Sequence, residues 1–216
     1  MITIDKPKYC KELAELVGII LGDGSIFVKK YSIKNTVNQI RICGHIQNDR
    51  DYLLNFVKPL ITNLFKIEPK VKLFKNSAIY ICIDSKELVE FLIRIGLKPG
   101  NKVLNQVGIP SWIKENKSYT KACIRGLMDT DGSIYELKTH WKGLIQISYK
   151  SYSKNLLDDV RNGLLDLGFI VSKTSSNRIY ITRKKEIIKF LNEINFNNIK
   201  HRIRYNNIAL SSSGQL

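Results

Sequence analysis

Residues 16–24 read Leu-Val-Gly-Ile-Ile-Leu-Gly-Asp-Gly, and residues 124–132 read Ile-Arg-Gly-Leu-Met-Asp-Thr-Asp-Gly. Both runs continue into Ser-Ile, so Asp-Gly-Ser-Ile begins at Asp23 and again at Asp131. The offset, 131 − 23 = 108, is half of the 216 residues. Self-similarity at a fixed offset indicates an internal duplication, and the chain is therefore expected to fold as two like halves.

The apolar pattern predicts the same order of elements in each half, α-β-β-α-β-β-α. In the first half we predict a helix at 11–21, strands at 25–31 and 38–45, a helix that Asn48-Asp49 begins, strands at 70–74 and 78–83, and a helix at 85–95. In the second half we predict a helix at 118–129, strands at 133–139 and 143–149, a helix at 153–167, strands at 169–173 and 178–182, and a helix at 184–194.

These elements predict an α+β fold of two pseudo-symmetric repeats with antiparallel sheets. The first repeat is assigned to 1–97, a Pro- and Gly-containing linker to 98–117, the second repeat to 118–205 and a tail to 206–216. Gly18 and Gly22 lie one helical turn apart, and Gly126 and Thr130 hold the matching places. Small residues at this spacing let two helix backbones approach closely. The two motif helices are therefore expected to pack together between the halves.

The net charge of +16, with 35 Lys and Arg against 19 Asp and Glu, favours an anionic partner. Nucleic acid is the first candidate, because neutralised phosphates release counterions. A membrane surface is the weaker candidate, and a Lys-rich surface that only aids solubility is the alternative. Apolar residues make up 44% of the chain, yet no run reaches the length of a membrane span. The N-terminus lacks the features of a secretion signal.

The cysteines Cys10, Cys43, Cys82 and Cys123 are far apart, and none forms Cys-x-x-Cys, so a zinc site is not expected. They are expected to be reduced and buried in an intracellular protein, cytoplasmic in a prokaryotic or archaeal host or else organellar.

Asp23 and Asp131 each follow a predicted helix. A carboxylate at a helix C-terminus opposes the helix dipole, and two neighbouring carboxylates also repel each other. A divalent cation would resolve both problems, because carboxylate and carbonyl oxygens suit Mg²⁺. The pattern therefore favours metal-assisted phosphodiester hydrolysis. The alternative is that Asp-Gly only makes a turn after each helix.

Basic and polar side chains alternate with apolar ones along the predicted strands, so one face of each sheet would be polar. Such strands fit the major groove of DNA, where Arg, Lys, Gln and Asn can read bases. An ordinary solvated sheet face is the alternative. The candidate DNA-binding residues are Lys29, Lys30, Lys34, Gln39, Arg41, Lys70, Lys72, Lys75, Tyr135, Lys138, His140, Lys142, Gln146, Lys173, Arg178 and Tyr180.

With its two motifs and repeated element order, the chain resembles the LAGLIDADG homing endonucleases in their two-motif, single-chain form. The resemblance covers nearly the whole chain. It implies a monomer that cuts a long site in double-stranded DNA with Mg²⁺ or another divalent cation such as Mn²⁺. It also implies that each half lays a saddle-shaped sheet on about one turn of DNA. Because the halves differ in detail, the site is expected to be asymmetric.

The resemblance assigns roles to single residues. Asp23 and Asp131 would be the metal-binding and catalytic carboxylates, and Gly22 and Thr130 would add backbone carbonyls. Basic residues near the cut phosphates would be Lys102 and, as a looser match, Lys200. Gln47 and Lys150, at the ends of the second strands, would order water or phosphate. For these last four residues an ordinary surface role is the alternative.

One departure is Leu21, which stands where the second motif has Asp129. The resemblance places the essential acid two residues later, so Leu21 is not expected to abolish activity. Two other functions remain open, an RNA-binding maturase whose partner is an intron RNA and a DNA-binding regulator that does not cut. The retained acids favour the nuclease. A free-standing product of an intron reading frame is expected rather than an intein.

Overall fold

The computed structural model describes residues 6–31, 36–74, 77–137 and 144–213. The first half contains, in order, α1 (Lys11–Gly22), β1 (Gly24–Lys30), β2 (Thr36–His45), α2 (Arg50–Tyr52), a π-helical turn (Leu53–Val57), α3 (Lys58–Phe65), β3 (Lys70–Phe74), β4 (Ala78–Asp84) and α4 (Lys86–Arg94). All strand pairs are antiparallel, in the order β1-β2-β4-β3. Ser85 caps α4, since its hydroxyl accepts a hydrogen bond from the Leu88 N–H.

A connection with the short helix α5 (Ser111–Lys114) leads to the second half. That half contains α6 (Lys117–Thr130), β5 (Gly132–Glu136), β6 (Ile145–Lys150), α7 (Lys154–Asp166), β7 (Arg178–Ile181), α8 (Lys184–Glu193) and α9 (Ile199–Ser213). Its antiparallel strands follow the order β5-β6-β7. The fold is therefore α+β with two related halves, as expected from the sequence. Within the described residues, no helix is long and apolar enough to cross a membrane.

The predicted strand at 169–173 is wrong, and Ser172 shows the reason. Its N–H donates to the carbonyl of Tyr180 (3.0 Å), as in a sheet. The returning bond is lost, because the Tyr180 N–H donates to the Ser172 hydroxyl and the Ser172 carbonyl accepts from Nε of Arg161. Side chains thus replace the backbone partners that a strand needs, and the segment stays irregular.

The predicted tail at 206–216 is also wrong where the structure describes it, because 206–213 belong to α9. This helix packs on β5, and within it His201 is buried and Tyr205 is half-buried against the core. Its apolar residues Ile199, Ile203 and Leu210 are instead exposed. The inward side carries His201, Tyr205 and Ile208, so a single aliphatic residue marks it, and the usual apolar pattern of a packed helix is weak in the sequence.

The most extensive helix contact joins α1 and α6, one from each half. A Cβ atom added to Gly18 would lie 2.1 Å from the carbonyl oxygen of Cys123, and one added to Gly126 would lie 2.4 Å from that of Glu15. Only glycine fits where two backbones approach this closely. The expected packing of the motif helices is confirmed.

A bidentate ion pair reinforces this contact. Nε and one terminal nitrogen of Arg125 on α6 donate to the two carboxylate oxygens of Glu15 on α1, at 2.9 and 2.7 Å. Glu15 is buried, so the pair helps to fix the two helices relative to each other.

The four cysteines are free thiols, as expected for reduced cysteines. Cys82 and Cys123 are buried, whereas Cys10 and Cys43 are only partly buried. Cys10 also caps α1, since its sulfur accepts from the Leu13 N–H at 3.4 Å.

Candidate metal and DNA site

Asp23 and Asp131 cap the C-termini of α1 and α6, and the glycine packing brings those ends together. A Cβ atom on Gly22 would lie 1.9 Å from the hydroxyl oxygen of Thr130 and 3.4 Å from a carboxylate oxygen of Asp131. The acidic side chain of the second motif therefore lies directly beside the last residue of the first motif helix.

The electrostatics of the two acids show that their charges are not balanced. Two effects raise the pKa of Asp131 to about 6: partial burial, which is the larger, and repulsion from the charge of Asp23. Asp131 still reaches solvent, so a ligand could approach it. Burial also raises the pKa of Asp23, although the charges of Lys200 and Lys102 act against this rise. Two neighbouring carboxylates with raised pKa values are suited to bind a divalent cation, because its double charge stabilises both in their ionised form.

The donor set fits a hard divalent cation only with further oxygen ligands. Within the described residues, no group of three or more carboxylate, histidine or cysteine side chains could hold a metal ion. Backbone carbonyls, water and DNA phosphates would have to complete the coordination of Asp23 and Asp131. These are the ligands that Mg²⁺ prefers.

Lys102 lies at the end of α1. Its ammonium donates to the carbonyls of Leu21 (2.9 Å) and Gly22, with a longer contact to that of Ile20 (3.4 Å). Burial lowers the pKa of Lys102, and the charges of Asp131 and Asp23 oppose that shift. The expected basic residue is thus beside both acids, but it occupies the Gly22 carbonyl that was assigned to the metal. A metal that used this carbonyl would have to share its oxygen with the Lys102 ammonium, whose positive charge repels the ion, or displace that ammonium.

Thr130 closes the last turn of α6, since its hydroxyl donates to the carbonyls of Gly126 and Leu127, both at 3.0 Å. The assignment of its own carbonyl to a metal stays a prediction.

Lys200 occupies a different environment from Lys102. Its ammonium donates to a carboxylate oxygen of Asp49, in the first half, at 2.7 Å. Burial alone would raise the pKa of Asp49, but hydrogen bonds from Lys200, Asn198 and the His45 N–H lower it. The charge of Lys200 is felt at Asp23 and Asp131, although its nearest partner is Asp49.

A buried polar cluster behind the site was missed by the sequence reasoning. The side-chain amide of Asn198 donates to Asp49 (2.9 Å) and to the carbonyl of Asp129 (3.2 Å), and its N–H donates to the Asp129 carboxylate (3.0 Å). His201 is buried beside the same carbonyl. Burial raises the pKa of Asp129 to about 7. The sequence contained one sign of this cluster, which is that the second motif has the charged Asp129 at the place where the first motif has the apolar Leu21.

Gln47 and Lys150 remain predictions. Gln47 is exposed just after β2. Lys150 ends β6 with its ammonium 4.6 Å from the ring centre of Tyr152. Among the described residues, neither side chain forms a hydrogen bond to Asp23 or Asp131.

Strand register places most of the candidate DNA-binding residues of the first half on one face. Residues opposite each other in antiparallel strands lie on the same side of the sheet. Arg41 and Lys70 both lie opposite Cys82 in the strand pairing, and Lys72 lies opposite Tyr80. The same face also carries Lys29, Gln39 and Asp84, together with Ser25 and the apolar Phe27 and Val37. Lys30 instead shares the side of Ile26 and Ile40, at the end of its strand.

The second sheet has a corresponding polar face. Tyr135 lies opposite Gln146 and its hydroxyl donates to the Gln146 side chain at 2.6 Å, while Ser148 and Lys150 lie opposite Tyr180 and Arg178. Lys173 is exposed but outside the strands. The remaining candidates, Lys34, Lys75, Lys138, His140 and Lys142, lie outside the described residues.

Comparisons with known proteins agree with this architecture. Residues 14–114 match the profile of the WhiA LAGLIDADG-like domain, and residues 118–195 match that of the LAGLIDADG-like domain. The chain therefore belongs to the LAGLIDADG family, in its two-motif, single-chain form.

Solved structures show the same fold. The structure of I-DmoI in complex with DNA and Mn is similar with a TM-score of 0.58 and 21% identity, over 86% of this chain and 96% of that one. The meganuclease I-SmaMI bound to uncleavable DNA gives a TM-score of 0.60 at 15% identity, over 97% and 92% of the two chains. The chain thus has the fold of LAGLIDADG homing endonucleases.

One curated relative is the replication factor C small subunit of Methanocaldococcus jannaschii, 28% identical over 205 residues. The match covers 90% of this chain and only 10% of that protein, so the chain spans about a tenth of its relative's length.

Proposed function

We propose that this protein is a site-specific endonuclease that cuts double-stranded DNA with a divalent cation, Mg²⁺ or Mn²⁺, as a monomer. The observation that carries the proposal is the pair of carboxylates, Asp23 and Asp131, whose pKa values are both raised. They lie at the adjoining C-termini of α1 and α6, two helices that pack closely through their glycines. A protein that only bound DNA would gain nothing from two repelling acids at the centre of a chain with a net charge of +16.

Different groups of the chain bind the DNA, the cation and the phosphate. The polar faces of the two sheets bind the DNA, and the positive charge of the chain attracts its phosphates. Asp23 and Asp131 would hold the cation, and the chemistry that it would supply is activation of water and stabilisation of the leaving oxygen in phosphodiester hydrolysis. Lys102 lies beside both acids, from where its ammonium can contact a phosphate once it leaves the Gly22 carbonyl.

A second candidate is a DNA-binding protein of the same fold that does not cut. The hydrogen bonds of Lys102 favour it, because an ammonium ion already satisfies the carbonyls at the end of α1. In such a protein Lys102 would remain bound there with or without divalent cations.

A randomised duplex library separates the two candidates. Incubation with the protein and Mg²⁺ should give cut products that share one asymmetric sequence, and EDTA should abolish them. The matched control is Asp131→Asn, which should bind the same sequence without cutting it. Sequence-specific binding with no cleavage in Mg²⁺ or Mn²⁺ would support the non-cutting protein instead.

A further inference from the structure

The polar face of the first sheet carries a chain of hydrogen bonds that runs across two strands. Gln39 and Asp84 lie opposite each other on β2 and β4, and the amide nitrogen of Gln39 donates to Asp84. Nε of Arg41, two residues along β2, donates to the amide oxygen of Gln39. Lys70, on β3, lies 3.6 Å from the other oxygen of Asp84.

The chemistry of these groups fixes the direction of every bond. An ionised Asp84 can only accept, so the NH₂ group of Gln39 must face it. The amide oxygen of Gln39 then faces Arg41, whose guanidinium can only donate. Both ends of the Gln39 amide are therefore used, and Gln39 is only 5% exposed. A base in the groove cannot reach it.

Arg41 is left with one exposed edge. Its Nε is bound to Gln39, whereas its two terminal nitrogens are in none of the hydrogen bonds found among the described residues. Arg41 also borders a hollow of ≈ 300 Å³ on this face, together with Lys72 and Tyr80. Two parallel N–H donors on such an edge match O6 and N7 of guanine in the major groove.

We propose that Arg41 reads a guanine in the DNA site and that Gln39 and Asp84 act as positioning residues that hold its guanidinium. This inference rests on the proposed DNA binding. It changes the role expected for Gln39 from a base-reading to a positioning residue, and it gives Asp84 a role in specificity.

The test is selection of bound duplexes from a randomised library with EDTA present, so that only binding is measured. Wild-type protein should prefer guanine at one position by about 10- to 100-fold, the range for a bidentate contact. Arg41→Ala should remove that preference and leave the other positions unchanged. Asp84→Asn should weaken it at the same position, and the double variant should match Arg41→Ala alone.

Two controls separate orientation from loss of charge. Asp51→Asn makes the same change at an exposed carboxylate outside the sheet and should leave the selected sequence unchanged. Lys70→Met should weaken binding to all sequences alike, since its exposed ammonium suits a phosphate.

The inference is overturned if Asp84→Asn keeps the full guanine preference, or changes a position that Arg41→Ala does not affect. Preferences retained elsewhere in the site show in the same experiment that each variant is folded. A wild-type protein that binds no duplex would instead overturn the proposed function itself.

Discussion

Gly18→Ala is the sharpest test of the helix contact that forms the site. The new methyl carbon would lie 2.1 Å from the carbonyl oxygen of Cys123, a distance at which protein atoms do not coexist. The obstacle is backbone, so no side chain can rotate away. Contact at 3.0 Å requires α1 and α6 to separate by about 0.9 Å, the difference between the two distances.

The expected cost follows from two opposing effects. Overpacking of a well-packed core costs up to about 3 kcal/mol. Replacing glycine by alanine within a helix stabilises the folded protein by about 1 kcal/mol. The free energy of unfolding should therefore fall by up to about 2 kcal/mol. Cleavage should suffer further, because the same movement separates Asp23 from Asp131.

The assay is urea unfolding followed by circular dichroism, with Gly163→Ala as the matched control. In α7, a Cβ atom on Gly163 would meet only side-chain carbons of Thr120 and Ile124, at 3.1 and 3.2 Å. These can adjust, so the control should be neutral or more stable by up to about 1 kcal/mol. Equal stability of Gly18→Ala and wild type, or equal losses in both variants, would refute the backbone contact.

Three further predictions concern charged groups. Arg125→Met leaves the buried Glu15 without its charged partner, with only the amide of Asn197 donating to it, and should lower the free energy of unfolding by about 3 kcal/mol in urea, with recovery when Glu15→Met is added. Lys102→Met frees the Gly22 carbonyl and should tighten Mn²⁺ binding in calorimetry. Because the pKa of Asp131 is raised to about 6, its proton competes with metal below that pH, and Mn²⁺ affinity should fall about tenfold per pH unit there and level off above it.

Each of these has a contrary result. If Arg125→Met were as stable as wild type, the ion pair would contribute little to the helix contact. Weaker Mn²⁺ binding by Lys102→Met would mean that the ammonium does not compete with the metal. A Mn²⁺ affinity that stays constant from pH 7 to pH 5 would show that Asp131 does not bind the ion in its ionised form.

The sequence predicted well those elements whose apolar periodicity reflects local packing. The motif helices, the first-half strands and the glycine contact all follow from residues that repeat at helical or strand spacing. The failures at 169–173 and 206–213 have another origin. In each case partners outside the segment decide its structure, the side chain of Arg161 and the backbone of Tyr180 for Ser172, and β5 for α9.

The site was predictable only as far as the duplicated motif reached. Asp23 and Asp131 are placed by the helices that carry them, so their approach could be inferred from symmetry. The partners of Lys102 and Lys200 could not, since each ammonium binds residues far away in sequence. The role of Asn198 was hidden for the same reason, because its side chain contacts Asp49 in the other half and Asp129 at the far end of α6, 69 residues earlier in the chain.

The central claim is that Asp23 and Asp131 share one metal-binding site. Electron paramagnetic resonance of Mn²⁺, titrated into the complex of the protein with its selected DNA, measures this directly. Asp23→Asn and Asp131→Asn should each lose tightly bound Mn²⁺ while their DNA affinity stays within about twofold of wild type. Unchanged Mn²⁺ binding in both variants would contradict the account.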